Sequence, residues 1–112
     1  DLFNALYNLA VLYYNEGVDL VTDANKTKDN EKYKALKDSA NKKFQKALPY
    51  MEKARQIKPE DMNVLTTLKT LYYRLRTQNE EYIDKYKEVQ DKINQLKGNT
   101  NQQGKQEEGS EQ

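Results

Sequence analysis

Between Ala47 and Pro59 the chain reads Ala-Leu-Pro-Tyr-Met-Glu-Lys-Ala-Arg-Gln-Ile-Lys-Pro. Small Ala47, bulky Met51 and small Ala54 are spaced by four and then three residues, so they share one face of a helix. Pro59 follows where a helix with Arg55 and Lys58 near its end is expected to stop. A small–large–small face lets one helix lie close against two neighbours. Breakers are scarce: the two prolines both lie in this stretch, and three of the four glycines lie beyond residue 97. The expected fold is therefore all-α, with packed helices nearly throughout.

The periodicity predicts about four helices. The first covers about Leu2 to Ala24, with Leu6, Leu9, Ala10, Tyr13, Leu20, Val21 and Ala24 as its apolar stripe. Gly17 lies on that stripe, where it permits close helix contact at a cost of about 1 kcal/mol relative to alanine. Asn25 to Asn30 is a polar turn, with Thr27, Asp29 or Asn30 available to cap the next helix. That second helix runs to about Lys58 on Tyr33, Leu36, Ala40, Phe44, Ala47, Met51 and Ala54. Pro49 falls in its interior, where it removes the bond to the Gln45 carbonyl, so a continuous but bent helix is expected. A third helix, from Pro59 and Asp61 to about Arg76, repeats with Leu65, Leu68 and Tyr72 the spacing of Leu6, Leu9 and Tyr13. The fourth, about Glu80 to Lys97, carries Tyr82, Ile83, Tyr86, Val89, Ile93 and Leu96, with Thr77 and Glu80 as a capping box.

In these residues the chain resembles the tetratricopeptide-repeat family, whose period is about 34 residues. Leu6, Leu9, Ala10 and Tyr13 match the spacing of the family's first helix, and Ala47 to Pro59 that of its second. The chain departs from the family in having about 25 extra residues between Tyr13 and Ala47, and both sides of the turn keep their helical stripe. Lys69 stands where a small residue is usual. Tyr82 replaces another small residue and marks the last helix as a terminal cap.

The resemblance implies antiparallel hairpins in a right-handed array over residues 1–97, an elongated hairpin 2–58 followed by a hairpin 59–97. It also implies a non-catalytic module that holds a protein or peptide segment in a concave groove. The matching positions are Asn4, Tyr7, Val11, Tyr14 and Asn15 on the first helix and Asn63, Thr66, Thr70, Tyr73 and Arg74 on the third. Tyrosine suits such contacts because it offers apolar area and a polar tip at low entropic cost. The lysine–asparagine set with which chaperone-binding relatives clamp a terminal carboxylate is not reproduced. Two alternatives stay open: the tyrosines pack against upstream repeats of the same chain, or the chain is a helical spacer that forms a homo-oligomer.

Composition narrows the chemistry. The 112 residues contain no cysteine and no histidine, and the only serines are Ser39 and Ser110. Nucleophile–base pairs of the usual kinds cannot be assembled, so no enzyme and no cofactor are expected. Glu80, Asp84, Glu88 and Asp91 are interleaved with Lys85, Lys87 and Lys92, which predicts a solvated face rather than a metal site. From Lys28 to Lys58 ten Lys or Arg face four acids, whereas residues 1–27 carry four acids and one lysine. With a net charge of only +1, this reads as a charge-complementary hairpin rather than a nucleic-acid or membrane surface.

At this length the chain is one domain or a piece of a longer array. Its mean hydropathy of −1.16 suits helices that each keep one face in water. No apolar run approaches the roughly 20 residues that span a bilayer. The chain opens at Asp1 within a helical pattern, as expected of a processed or excised piece, and both cytoplasm and bacterial periplasm fit. Gly98 to Gln112 contains no apolar residue and is expected to be a flexible tail.

Overall fold

The computed structural model describes the backbone of residues 1–104 and the side chains of residues 1–98. It holds four helices, α1 (Leu2–Lys26), α2 (Asn30–Ile57), α3 (Met62–Arg74) and α4 (Glu81–Gly104). No strand occurs among the described residues.

Each of the first three helices begins on an aspartate. Asp1 accepts the Asn4 N–H at 2.8 Å, Asp29 those of Glu31 and Lys32, and Asp61 that of Val64. These bonds satisfy amides that the first helical turn leaves without a partner. The reversal between α1 and α2 is correspondingly short. Thr27 accepts the Asp29 N–H, and Asp29, among the three candidates, is the residue that caps α2. α2 runs through Pro49 without interruption and stops ahead of Pro59, with the Lys58 N–H bonded to the Ala54 carbonyl.

The second hairpin departs from expectation at both ends of its turn. α3 stops at Arg74, and the Arg76 and Gln78 amides close short turns onto Tyr73 and Leu75. Residues 75–78 are thereby used up in the turn, and Asn79 caps α4 by accepting the Glu81 N–H at 3.0 Å. The helix accordingly begins one residue after Glu80, and Asn79 takes the capping role expected of Thr77. α4 also continues past Lys97 to Gly104. Gly98 costs a helix only about 1 kcal/mol, and no proline follows to end it. The remainder of the expected tail, residues 105–112, lies outside the described residues.

α1 packs on α2, α2 on α3 and α3 on α4, an open succession rather than a closed bundle. The buried residues of α1 are Phe3, Ala10, Gly17 and Ala24, one in every seven. That is the seam of a coiled-coil-like pair. At Gly17 it is covered by Phe44 of α2: a Cβ on Gly17 would lie 2.5 Å from the Phe44 ring. α3 sits between two helices and buries a wider arc, Val64, Leu65, Leu68, Leu71 and Tyr72. Leu6, Leu9 and Tyr13 share the spacing of Leu65, Leu68 and Tyr72 but are only half-buried, because α1 packs extensively against one helix alone. α1 and α2 have 25 and 28 residues and α3 has 13. At about 1.5 Å per residue the long hairpin is about 40 Å tall against about 20 Å for α3. Its tip therefore overhangs the C-terminal end of α3.

Candidate functional site

Under that overhang the last turn of α3 meets the flank of the long hairpin. The Arg74 guanidinium lies 5.0 Å from the Phe44 ring centre and 5.8 Å from that of Tyr14. The two rings are 5.6 Å apart and tilted by 46°. Phe44 is fully buried against Gly17, so it forms a rigid floor for the cation. Arg74 Nε is buried and donates to no acceptor. Beside it Arg76 lies 3.8 Å from the Tyr73 ring centre and donates to the Tyr73 carbonyl at 2.6 Å. Tyr73 is half exposed and leans on Tyr86 of α4, with ring centres 5.7 Å apart.

Val21 of α1 and Lys37, Asn41 and Phe44 of α2 join Thr70, Tyr73, Arg74 and Arg76 around a cavity of about 340 Å³. Three of these residues are cationic and none is acidic. The Thr70 hydroxyl donates to the Thr66 carbonyl of its own helix, so its proton is already committed.

Of the residues expected in a groove, Thr70, Tyr73 and Arg74 line this cleft, and Tyr14 supports Arg74 from beneath. Tyr7 stacks on Phe3 with ring centres 5.9 Å apart and, like Val11, packs partly buried against the core. Asn4, Asn15, Asn63 and Thr66 are exposed and do not line the cleft. Val21, Lys37, Asn41, Phe44 and Arg76 were not among the expected site residues. The excess of lysines on the second helix was the one sequence signal that pointed towards Lys37.

Four cations elsewhere in the described residues form ion pairs. Lys43 meets Glu16 at 2.8 Å, and the hydrogen bond to that carboxylate raises the lysine's pKa. This is the single ion pair between α1 and α2 among the described residues, so most cations of α2 are not in direct contact with an acid of α1. Instead Arg55 grips Glu88 of α4 with two bonds of 2.8 and 2.7 Å. That contact holds the Glu88 carboxyl below the usual carboxylate range and raises Arg55. Lys85 approaches Glu52, and Lys92 approaches Glu60. A second cavity, lined by Glu52, Arg55, Tyr72 and Lys85, is thus self-neutralised. There the buried Tyr72 donates to Glu52 at 2.6 Å, and burial, then the adjacent carboxylate, drives its phenol far above its ordinary pKa.

Among the described residues no group of three or more acidic, histidine or cysteine side chains is placed to hold a metal ion. No helix among them is long and apolar enough to cross a membrane. No protein-family model, curated protein or solved structure matches the chain.

Proposed function

We propose that the chain is a non-catalytic interaction module, built as a tetratricopeptide-like pair of hairpins, that holds a segment of another protein. The observation that carries this reading is that Tyr73 and Arg74 of α3 line one open cleft, with Tyr14 of α1 supporting Arg74 from beneath. Tyrosine and arginine on a rigid, partly desolvated surface are the side chains that most often dominate binding energy between proteins. The open succession of helices supports the reading as well, since it leaves such faces uncovered by a further layer.

The test is to select binders from a displayed random-peptide library on the intact chain and then measure them against Tyr73→Ala. Tyr73 is exposed enough to be replaced without unfolding the protein, which circular dichroism would check. Selected peptides should lose about 2 kcal/mol or more of binding energy. Peptides that bind the variant undiminished would overturn the assignment of this face.

A second reading has its own observation. Leu2 and Leu12 are 66% and 51% exposed, and with half-buried Leu9 they lie on α1, which packs extensively on α2 alone. That face suits another helix, from a second copy or from further repeats, as in a spacer that self-associates. Light scattering across a concentration series separates the two readings: a mass that stays monomeric disfavours self-association, and one that doubles supports it.

A further inference from the structure

We infer that the cleft beneath the overhang is a carboxylate-binding site, which takes a glutamate or aspartate side chain from an acidic segment of a partner protein. The inference rests on the interaction-module reading and names the chemistry of the partner.

Lys37, Arg74 and Arg76 converge on one cavity with no acidic residue in its lining. None of the three meets a carboxylate among the described residues, and what sets them apart from the other unpaired cations is that they share one acid-free cavity. They lie against aromatic rings, and Arg76 also donates to a backbone carbonyl. Arg74 is the most telling of them. Its guanidinium is already ordered over Tyr14 and Phe44, while its buried Nε–H lacks an acceptor. Because the rings hold the fork in place, little rotamer freedom remains to be lost when a carboxylate arrives.

The shape of the site favours a protein side chain. A cavity of about 340 Å³ is at the small end for a ligand pocket, and it admits one anionic group with a short stem. Val21 and Phe44 supply apolar walls for that stem. Nucleic acid would need cations spaced along a track of phosphates, whereas here they gather at one point.

The test is a nuclear magnetic resonance titration of the full chain, reading the amides of residues 37–41 and 70–76. Three probes are used: a capped pentapeptide with glutamate between leucines, its glutamine counterpart, and inorganic phosphate. The glutamate peptide should shift these amides saturably, and the glutamine peptide should bind about tenfold more weakly or worse. The double variant Lys37→Gln with Arg76→Gln alters side chains outside the core and should weaken the glutamate peptide about tenfold while the rest of the spectrum stays unchanged. Arg74→Lys keeps the charge but loses the planar fork, and should weaken it too. Equal binding of both peptides overturns the carboxylate assignment and leaves the interaction-module reading standing. Tighter binding of phosphate than of the glutamate peptide overturns it in favour of a phosphoryl ligand. No shift with any probe overturns the cleft as a site, and the wider reading is then decided separately by the peptides selected on the Tyr73 face.

Discussion

At Gly17 the α1 backbone lies directly against the Phe44 ring of α2. A glycine in mid-helix costs about 1 kcal/mol relative to alanine, so Gly17→Ala would stabilise an isolated α1. In the folded chain the added methyl meets the Phe44 ring at 2.5 to 2.9 Å. That ring cannot simply retreat, because it is buried and carries both Tyr14 and Arg74. Overpacking of this kind costs about 1–3 kcal/mol, which outweighs the propensity gain over most of its range. Gly17→Ala is thus expected to lower the melting temperature, and a rise would mean that the seam relaxes freely. The Cα resonances of Arg74 should move in the same variant, since the ring that supports the guanidinium is displaced.

Each helix is specified by local signals, and these were largely legible in the sequence. Stripes at steps of three and four, the polar turn at Thr27–Asp29 and the stop before Pro59 placed α1 and α2 within a few residues. The turn after α3 was less legible because Thr77, Asn79 and Glu80 are all capable of capping, and the choice falls to the short turns that use residues 75–78. Pro49 tests how far packing overrides propensity. It lies within the continuous α2, beside buried Leu48 and Met51, where proline disfavours a helix by about 3 kcal/mol. Pro49 is itself exposed, so an alanine there clashes with nothing and restores the bond to the Gln45 carbonyl. Pro49→Ala should raise stability by up to about 3 kcal/mol in chemical denaturation. An unchanged midpoint would show that the carbonyl is already well satisfied by solvent.

The whole molecule is an open stack, and its site depends on how long and short helices are staggered. That is why Thr70, Tyr73 and Arg74 could be placed on one face from the sequence, while Val21, Lys37, Asn41 and Arg76, which line the same cleft, could not. The former follow from a periodic face within one helix, whereas the latter depend on where the overhang meets the end of α3. An open stack is also unevenly held. α4 buries Val89 and Ile93 and leans on α3 through Tyr82 on Tyr72 and Tyr86 on Tyr73. Its remaining hold on the first hairpin is electrostatic, chiefly Arg55 on Glu88. Glu88 is 56% exposed at its side chain, so the pair is worth at most about 1 kcal/mol. Its folded pKa is lowered, above all by the Arg55 hydrogen bond. The contribution is therefore full above the unfolded carboxylate pKa and is lost as pH falls through the folded one. Amide exchange, corrected for intrinsic rates, should give Tyr86–Ile93 a lower opening free energy than Val64–Leu71. In the native chain that free energy should fall as the pH is lowered from above the unfolded glutamate value of about 4.3 through the lower folded one. In Glu88→Gln it should start lower and change less over the same interval, and salt should bring the native chain towards the variant. If α4 and α3 instead open with one common free energy that Glu88→Gln leaves untouched, the stack unfolds as a single unit and the Arg55–Glu88 clamp contributes nothing.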